Sequence, residues 1–116
     1  MKTKNFLMLI IASMFTINSF AQENKKSETF KVWGNCGMCE QKIEKAALKA
    51  GATTAEWNSE TLMLTVAYNS NTSSNTKIQK AIAEEGYDTQ DQKGSDKAYD
   101  KLHGCCKYDR KKDVTK

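Results

Sequence analysis

Between residues 29 and 91 the apolar side chains alternate between the period of a strand and that of a helix, and this constrains the fold more than any other property of the chain. Thr29-Phe30-Lys31-Val32-Trp33 alternates and is rich in strand formers, and Gly34-Asn35 breaks it. From Cys39 onward the period is helical: Ile43, Ala46, Ala47 and Ala50 share one face, Lys and Glu fill the other, and Gly51 supplies a stop. Residues 53–57 and 62–68 read as two further strands, joined through the turn Asn58-Ser59-Glu60. A polar loop, 69–75, offers Ser73, Ser74 and Asn75 as helix N-caps. Ile78, Ala81 and Ile82 then share a second helix face that Gly86 ends, and 87–90 supplies a short last strand.

The order strand, helix, strand, strand, helix, strand predicts an α+β fold, a ferredoxin-like βαββαβ sandwich with both helices on one face of an antiparallel sheet. The expected core is Phe30, Val32, Ile43, Leu48, Leu62, Leu64, Val66, Ile78 and Ile82, with Tyr68 or Tyr87. So small a core supplies about 3–5 kcal/mol. A ligand that binds only the folded form therefore adds materially to its stability.

The flanks differ in character. Lys2 and Lys4 precede an apolar run, 6–15, and Ser19-Phe20-Ala21 ends in small residues at the −3 and −1 positions of a cleavage site, so 1–21 reads as a secretory signal peptide. The run is short of the roughly 20 apolar residues that span a bilayer. No Cys lies near Ala21, so no lipid anchor is expected. The expected product is exported, into a compartment such as the bacterial periplasm, where thiols oxidise unless held. Residues 22–28 form a polar leader, 29–91 the domain, and 92–116 a charged tail with a Cys-Cys pair. Residues 96–108 carry a helical pattern interrupted at Gly104, and the last six residues read as disordered. A formal charge of +4 and a mean hydropathy of −0.68 suit neither a nucleic-acid binder nor a polytopic membrane protein.

The chemistry lies in the cysteines. Cys36-Gly37-Met38-Cys39 joins the first strand to the first helix. Two thiols so spaced at a helix N-terminus can face one atom, and the free N–H groups there favour thiolates. Thiolates are the ligands of Cu(I), Zn and Hg. Cys36 and Cys39 are therefore the primary candidate ligands. A thiol-disulfide redox protein using the same dithiol is the rival reading. Against it, the chain contains no Pro, and thioredoxin-like enzymes place a cis-proline beside their dithiol. Covalent haem would need His where Glu40 stands, His103 has no hydrolase partners in sequence, and no Gly-rich phosphate loop occurs. In the tail, His103, Cys105 and Cys106 are auxiliary candidates. They complete a closed site if the tail folds back, suited to Zn or a multinuclear Cu(I) cluster; otherwise the Cys pair is a cystine in a solvated tail.

On these residues the chain resembles the heavy-metal-associated domain family, small copper and mercury chaperone modules that also cap metal-pumping ATPases. The resemblance runs from Thr29 to about Asp91 and rests on the Cys36-x-x-Cys39 loop, the helix Glu40-Gln41-Lys42-Ile43-Glu44-Lys45-Ala46, the hairpin 55–68, and Ile78-Gln79-Lys80-Ala81-Ile82 followed by Gly86-Tyr87. It implies a non-enzymatic metal carrier, with Cu(I) first and Zn(II) or Hg(II) behind. Such a carrier takes up its ion through two near-linear thiolates and hands it by ligand exchange to a metal-transporting membrane protein or another metallochaperone. Tyr87 matches the family's aromatic beside the metal loop and shapes it without ligating. Two departures stand out. Where members carry a Met two residues before the first Cys, this chain has Gly34, and Met38 sits between the ligands as a loop-packing group. The tail extends beyond the family domain.

Overall fold

A computed structural model describes residues 24–112. The signal-peptide reading of 1–21 lies outside the described residues. No helix among the described residues is long and apolar enough to cross a membrane.

The element order is β1 (Lys25–Lys31), α1 (Gly37–Lys49), β2 (Ala52–Trp57), β3 (Met63–Asn69), α2 (Asn75–Glu84) and a short α3 (Asp96–Asp100), followed by a 3-10 turn at Gly104–Cys106. The antiparallel sheet has the order β1-β3-β2. Phe30 faces Leu64 from β1, and Trp57 faces Leu64 from β2. Alternation then sends Phe30, Leu64, Val66 and Tyr68 into the core, and leaves Thr29 and Thr65 on the outer face, where their hydroxyls meet at 3.0 Å. α1 packs on β2 and on α2, closing the core with Ile43, Ala47, Ile78 and Ile82.

The expected last strand is reduced to one antiparallel bridge, Val32 with Thr89. It is held by Trp33 N–H to Asp88 O (2.9 Å) and Gln90 N–H to Lys31 O (2.8 Å). It stops there because the chain turns away: Thr89 N–H donates to Gln92 O, and the buried Gln79 carboxamide accepts from Thr89 Oγ1 (2.6 Å) and Asp91 N–H (2.8 Å). β1 starts earlier than the sequence indicates, since residues of the supposed leader pair with β3 from Lys25↔Asn69 onward. Ladder hydrogen bonds are made by the backbone, so polar side chains on an exposed face do not prevent them. Glu28 anchors this end by accepting from Tyr68 Oη (2.6 Å) and Asn75 Nδ2 (3.2 Å).

α2 is capped by Ser74, whose hydroxyl accepts from Lys77 N–H. Two expected core residues differ. Leu48 is 47% exposed, because it lies outside the Ile43-Ala46-Ala47-Ala50 face, and Leu62 is only partly buried against the core, whereas Tyr68 and Tyr87 are both buried.

The largest departure is the tail, which folds back onto the domain. Tyr108 is buried, stacks on Tyr87 at 5.6 Å and meets Tyr99 edge-on at 5.1 Å. Its hydroxyl accepts from Asp88 N–H (2.8 Å) and donates to Gly86 O (2.6 Å). Arg110 grips Asp88 with Nε and Nη2 (2.9 and 2.7 Å) and reaches Asp96 with Nη1. Lys111, one of the six residues expected to be disordered, donates its N–H to Asp88; 113–116 lie outside the described residues. Gly86 makes the docking possible in two ways. Its φ of +104° is one that L side chains rarely adopt, and a Cβ there would stand 2.8 Å from Tyr99 N.

Candidate metal centre

The loop from the sheet to α1 is tied at its base. Trp33 N–H bonds Asp88 O, and the Trp57 indole N–H donates to Val32 O at 2.9 Å. A Cβ on Gly34 would lie 3.1 Å from both the Trp57 ring and Ile43 Cδ1. The space beneath the loop at Gly34 is thus taken by the Trp57 indole. Gly34→Met should therefore overpack the site and cost about 1–3 kcal/mol, read as a lower denaturant midpoint at unchanged slope.

Cys36 is the N-cap of α1, with extended backbone. Its sulfur makes no capping hydrogen bond. The N–H of Cys39 and, against partial burial, that of Met38 nevertheless face it and hold its thiol below the ordinary range. Cys39, one helical turn on, is fully buried, its Sγ 3.9 Å from Cys36 Sγ and donating to Asn35 Oδ1 at 3.1 Å. The docked tail brings in a third sulfur: Cys36, Cys39 and Cys106 have their Sγ atoms within 4.8 Å of one another. Burial, then the hydrogen bond and charge of Cys39, push the Cys106 thiol up to about 12. Three thiolates this close repel unless a cation lies between them.

For metal–sulfur bonds of about 2.3 Å, a linear pair needs sulfurs about 4.6 Å apart and a trigonal trio about 4.0 Å, and the Cys36–Cys39 separation of 3.9 Å matches the trio. A third sulfur, that of Cys106, thus stands beside the pair for which near-linear binding is expected. Tyr87 lies beside it, fully buried, and its hydroxyl has no hydrogen-bond partner. Burial, with the neighbouring sulfurs of Cys39 and Cys106, raises that phenol above its usual range. A buried O–H left without an acceptor is costly, and a charged sulfur would supply one.

The predicted site residues separate accordingly. Cys36, Cys39 and Cys106 converge, with Tyr87 alongside. Cys105 is exposed and faces Met38, and His103 is exposed, apart from the trio. Met38 is 45% exposed and so is not packed beneath the loop. All four cysteines stand as free thiols in this structure, and Cys106 is buried against the domain, not in a solvated tail. Asn35, Tyr108 and the Asp88–Arg110 pair were not expected from sequence. A signal for the docked tail exists in Tyr99, Leu102 and Cys106, which share helical spacing, but charged residues surround it.

No protein-family model and no curated protein matches the sequence. Solved structures do. A CopZ metallochaperone is 30% identical with a TM-score of 0.53, over 55% of this chain and 98% of its own. Oxidized MerP from Ralstonia metallidurans CH34 is 28% identical with a TM-score of 0.54, over 59% of this chain and 99% of its own. The N-terminal domain of a potential copper-translocating P-type ATPase from Bacillus subtilis, solved Cu(I)-loaded, is 28% identical with a TM-score of 0.52, over 59% and 94%. With Cys36 and Cys39 close together at the junction of β1 and α1, and with this likeness in fold and sequence, the chain belongs to the heavy-metal-associated domain family.

Proposed function

We propose that this protein is an exported carrier of a soft metal ion, Cu(I) before Zn(II) or Hg(II), held by Cys36, Cys39 and Cys106. The observation that carries this reading is the convergence of those three sulfurs within 4.8 Å of one another. Thiolates select soft ions. Structural Zn sites are almost always closed by four ligands, and among the described residues this cluster has three. Tyr87 is a positioning residue whose hydroxyl donates to a metal-bound thiolate. Release proceeds by thiol exchange: an incoming partner thiolate bonds the ion as one cysteine leaves. The partner is a metal-transporting membrane protein or another metallochaperone, in keeping with the ATPase domain among the similar structures. Export to the periplasm is supported by the pattern of residues 1–21.

X-ray absorption of the reduced, Cu(I)-loaded protein should show three sulfur neighbours, falling to two in Cys106→Ser. The double variant Cys36→Ser/Cys39→Ser should lose tight binding altogether. Two sulfurs in the wild type would remove Cys106 from the centre; tight binding kept by the double variant would remove the centre itself. Turnover in a disulfide-isomerisation assay would favour the redox reading.

A further inference from the structure

Outside the inner trio, two more soft donors from distant parts of the chain meet at the surface. Met38 Sδ lies 3.6 Å from Cys105 Sγ, across 67 positions of sequence. Met38 and Leu48 are the exposed large apolar side chains among the described residues. Of the two, only Met38 sits on the metal loop, with its sulfur against another sulfur. The 3-10 turn at Gly104–Cys106 sends adjacent cysteines to opposite sides, Cys106 inward and buried, Cys105 outward and exposed. The outer pair adjoins the trio at its half-buried member, since Cys36 Sγ donates to Cys105 O at 3.5 Å. Sulfur burial therefore grades from Met38 and Cys105 at the surface, through Cys36, to Cys39 and Cys106 inside.

We propose that Met38 and Cys105 form an outer Cu(I) site that loads the inner trio, an inference that rests on the reading of the trio as a metal centre. A thioether with a thiolate is a soft donor pair. It carries one negative charge, which neutralises a monovalent ion and leaves a divalent one uncompensated. The 3.6 Å separation is shorter than a linear pair needs, but both side chains are exposed and Met has three rotatable bonds with which to open it. On binding, Cys105 releases its proton to solvent. The ion then forms a bond to Cys36 as its bonds to Met38 and Cys105 break, and the proton that Cys36 gives up is taken by Cys105; copper stays Cu(I) and no electrons move.

The test is anaerobic titration of the reduced full chain with Cu(I) against a chelating competitor. The wild type should take up two equivalents, one tight and one weaker. Met38→Leu, which conserves volume, and Cys105→Ser should each lose the weaker equivalent and keep the tight one at unchanged affinity, while Cys106→Ser weakens the tight one. The outer site is overturned if Met38→Leu and Cys105→Ser both bind as the wild type does, or if either loses the tight equivalent. No tight equivalent in the wild type would overturn the trio reading itself, a result distinct from either of those.

Discussion

Tyr108→Ala should release the tail and with it the third sulfur. The ring is fully buried between Tyr87 and Tyr99, and truncating a buried aromatic costs about 3–5 kcal/mol. The hydroxyl also pairs two backbone groups, Asp88 N–H and Gly86 C=O, that would be left without partners. Tyr108→Phe keeps the stack and loses only those bonds, for about 1–3 kcal/mol. Two readouts separate local release from global unfolding. The melting midpoint should fall in both variants, further in Ala. Cys106, buried in the wild type, should react with a thiol reagent in native buffer only in Ala. A Cys106 that stays protected in Tyr108→Ala would show that the remaining tail contacts hold it.

Arg110→Ala should be nearly as severe, for an electrostatic reason. Asp88 is 1% exposed. Burial alone would raise its carboxyl, yet the Arg110 guanidinium, Gly94 N–H and Lys111 N–H together hold it below the usual range. Breaking a buried pair costs about 3–5 kcal/mol. The low end applies here because Arg110 is partly open to solvent. Arg110→Lys should not restore it, since an ammonium cannot copy the two-point fork on Asp88 while also reaching Asp96 and Gly94 O.

The pH dependence has a definite sign. A carboxyl whose folded pKa is depressed stabilises the fold above its unfolded value, about 3.9 for Asp, and that contribution is lost as pH falls through the folded value. The wild type should therefore hold its tail down to acid pH. In Arg110→Ala burial acts with less opposition, so Asp88 protonates sooner and acid unfolding should begin at higher pH. Acid-unfolding curves followed by Tyr fluorescence decide between this and a pair with no net contribution, for which the two curves would coincide.

Most of the domain was legible in the sequence because its elements are written in local periodicity. The Ile43-Ala46-Ala47-Ala50 face, the hairpin from β2 to β3, Ser74 as a cap and Gly86 as a stop all occur where spacing and capping chemistry place them. The polar start of β1 was hidden because its pairing with β3 is made by backbone groups. Leu48 was misjudged because it is apolar but lies off the buried face.

The site divides along the same line. Cys36 and Cys39 are three residues apart at a helix start, so their nearness is a local property that the sequence by itself determines. Which tail sulfur joins them is not. Cys105 and Cys106 are adjacent and chemically identical, and a 3-10 turn decides which faces inward. That turn is positioned from its C-terminal side by contacts that span about twenty residues: Tyr108 on Asp88 and Gly86, Arg110 on Asp88. Such contacts leave no periodic trace, because each joins single residues of irregular segments, so only the tertiary structure could select Cys106 for the inner trio and leave Cys105 beside Met38.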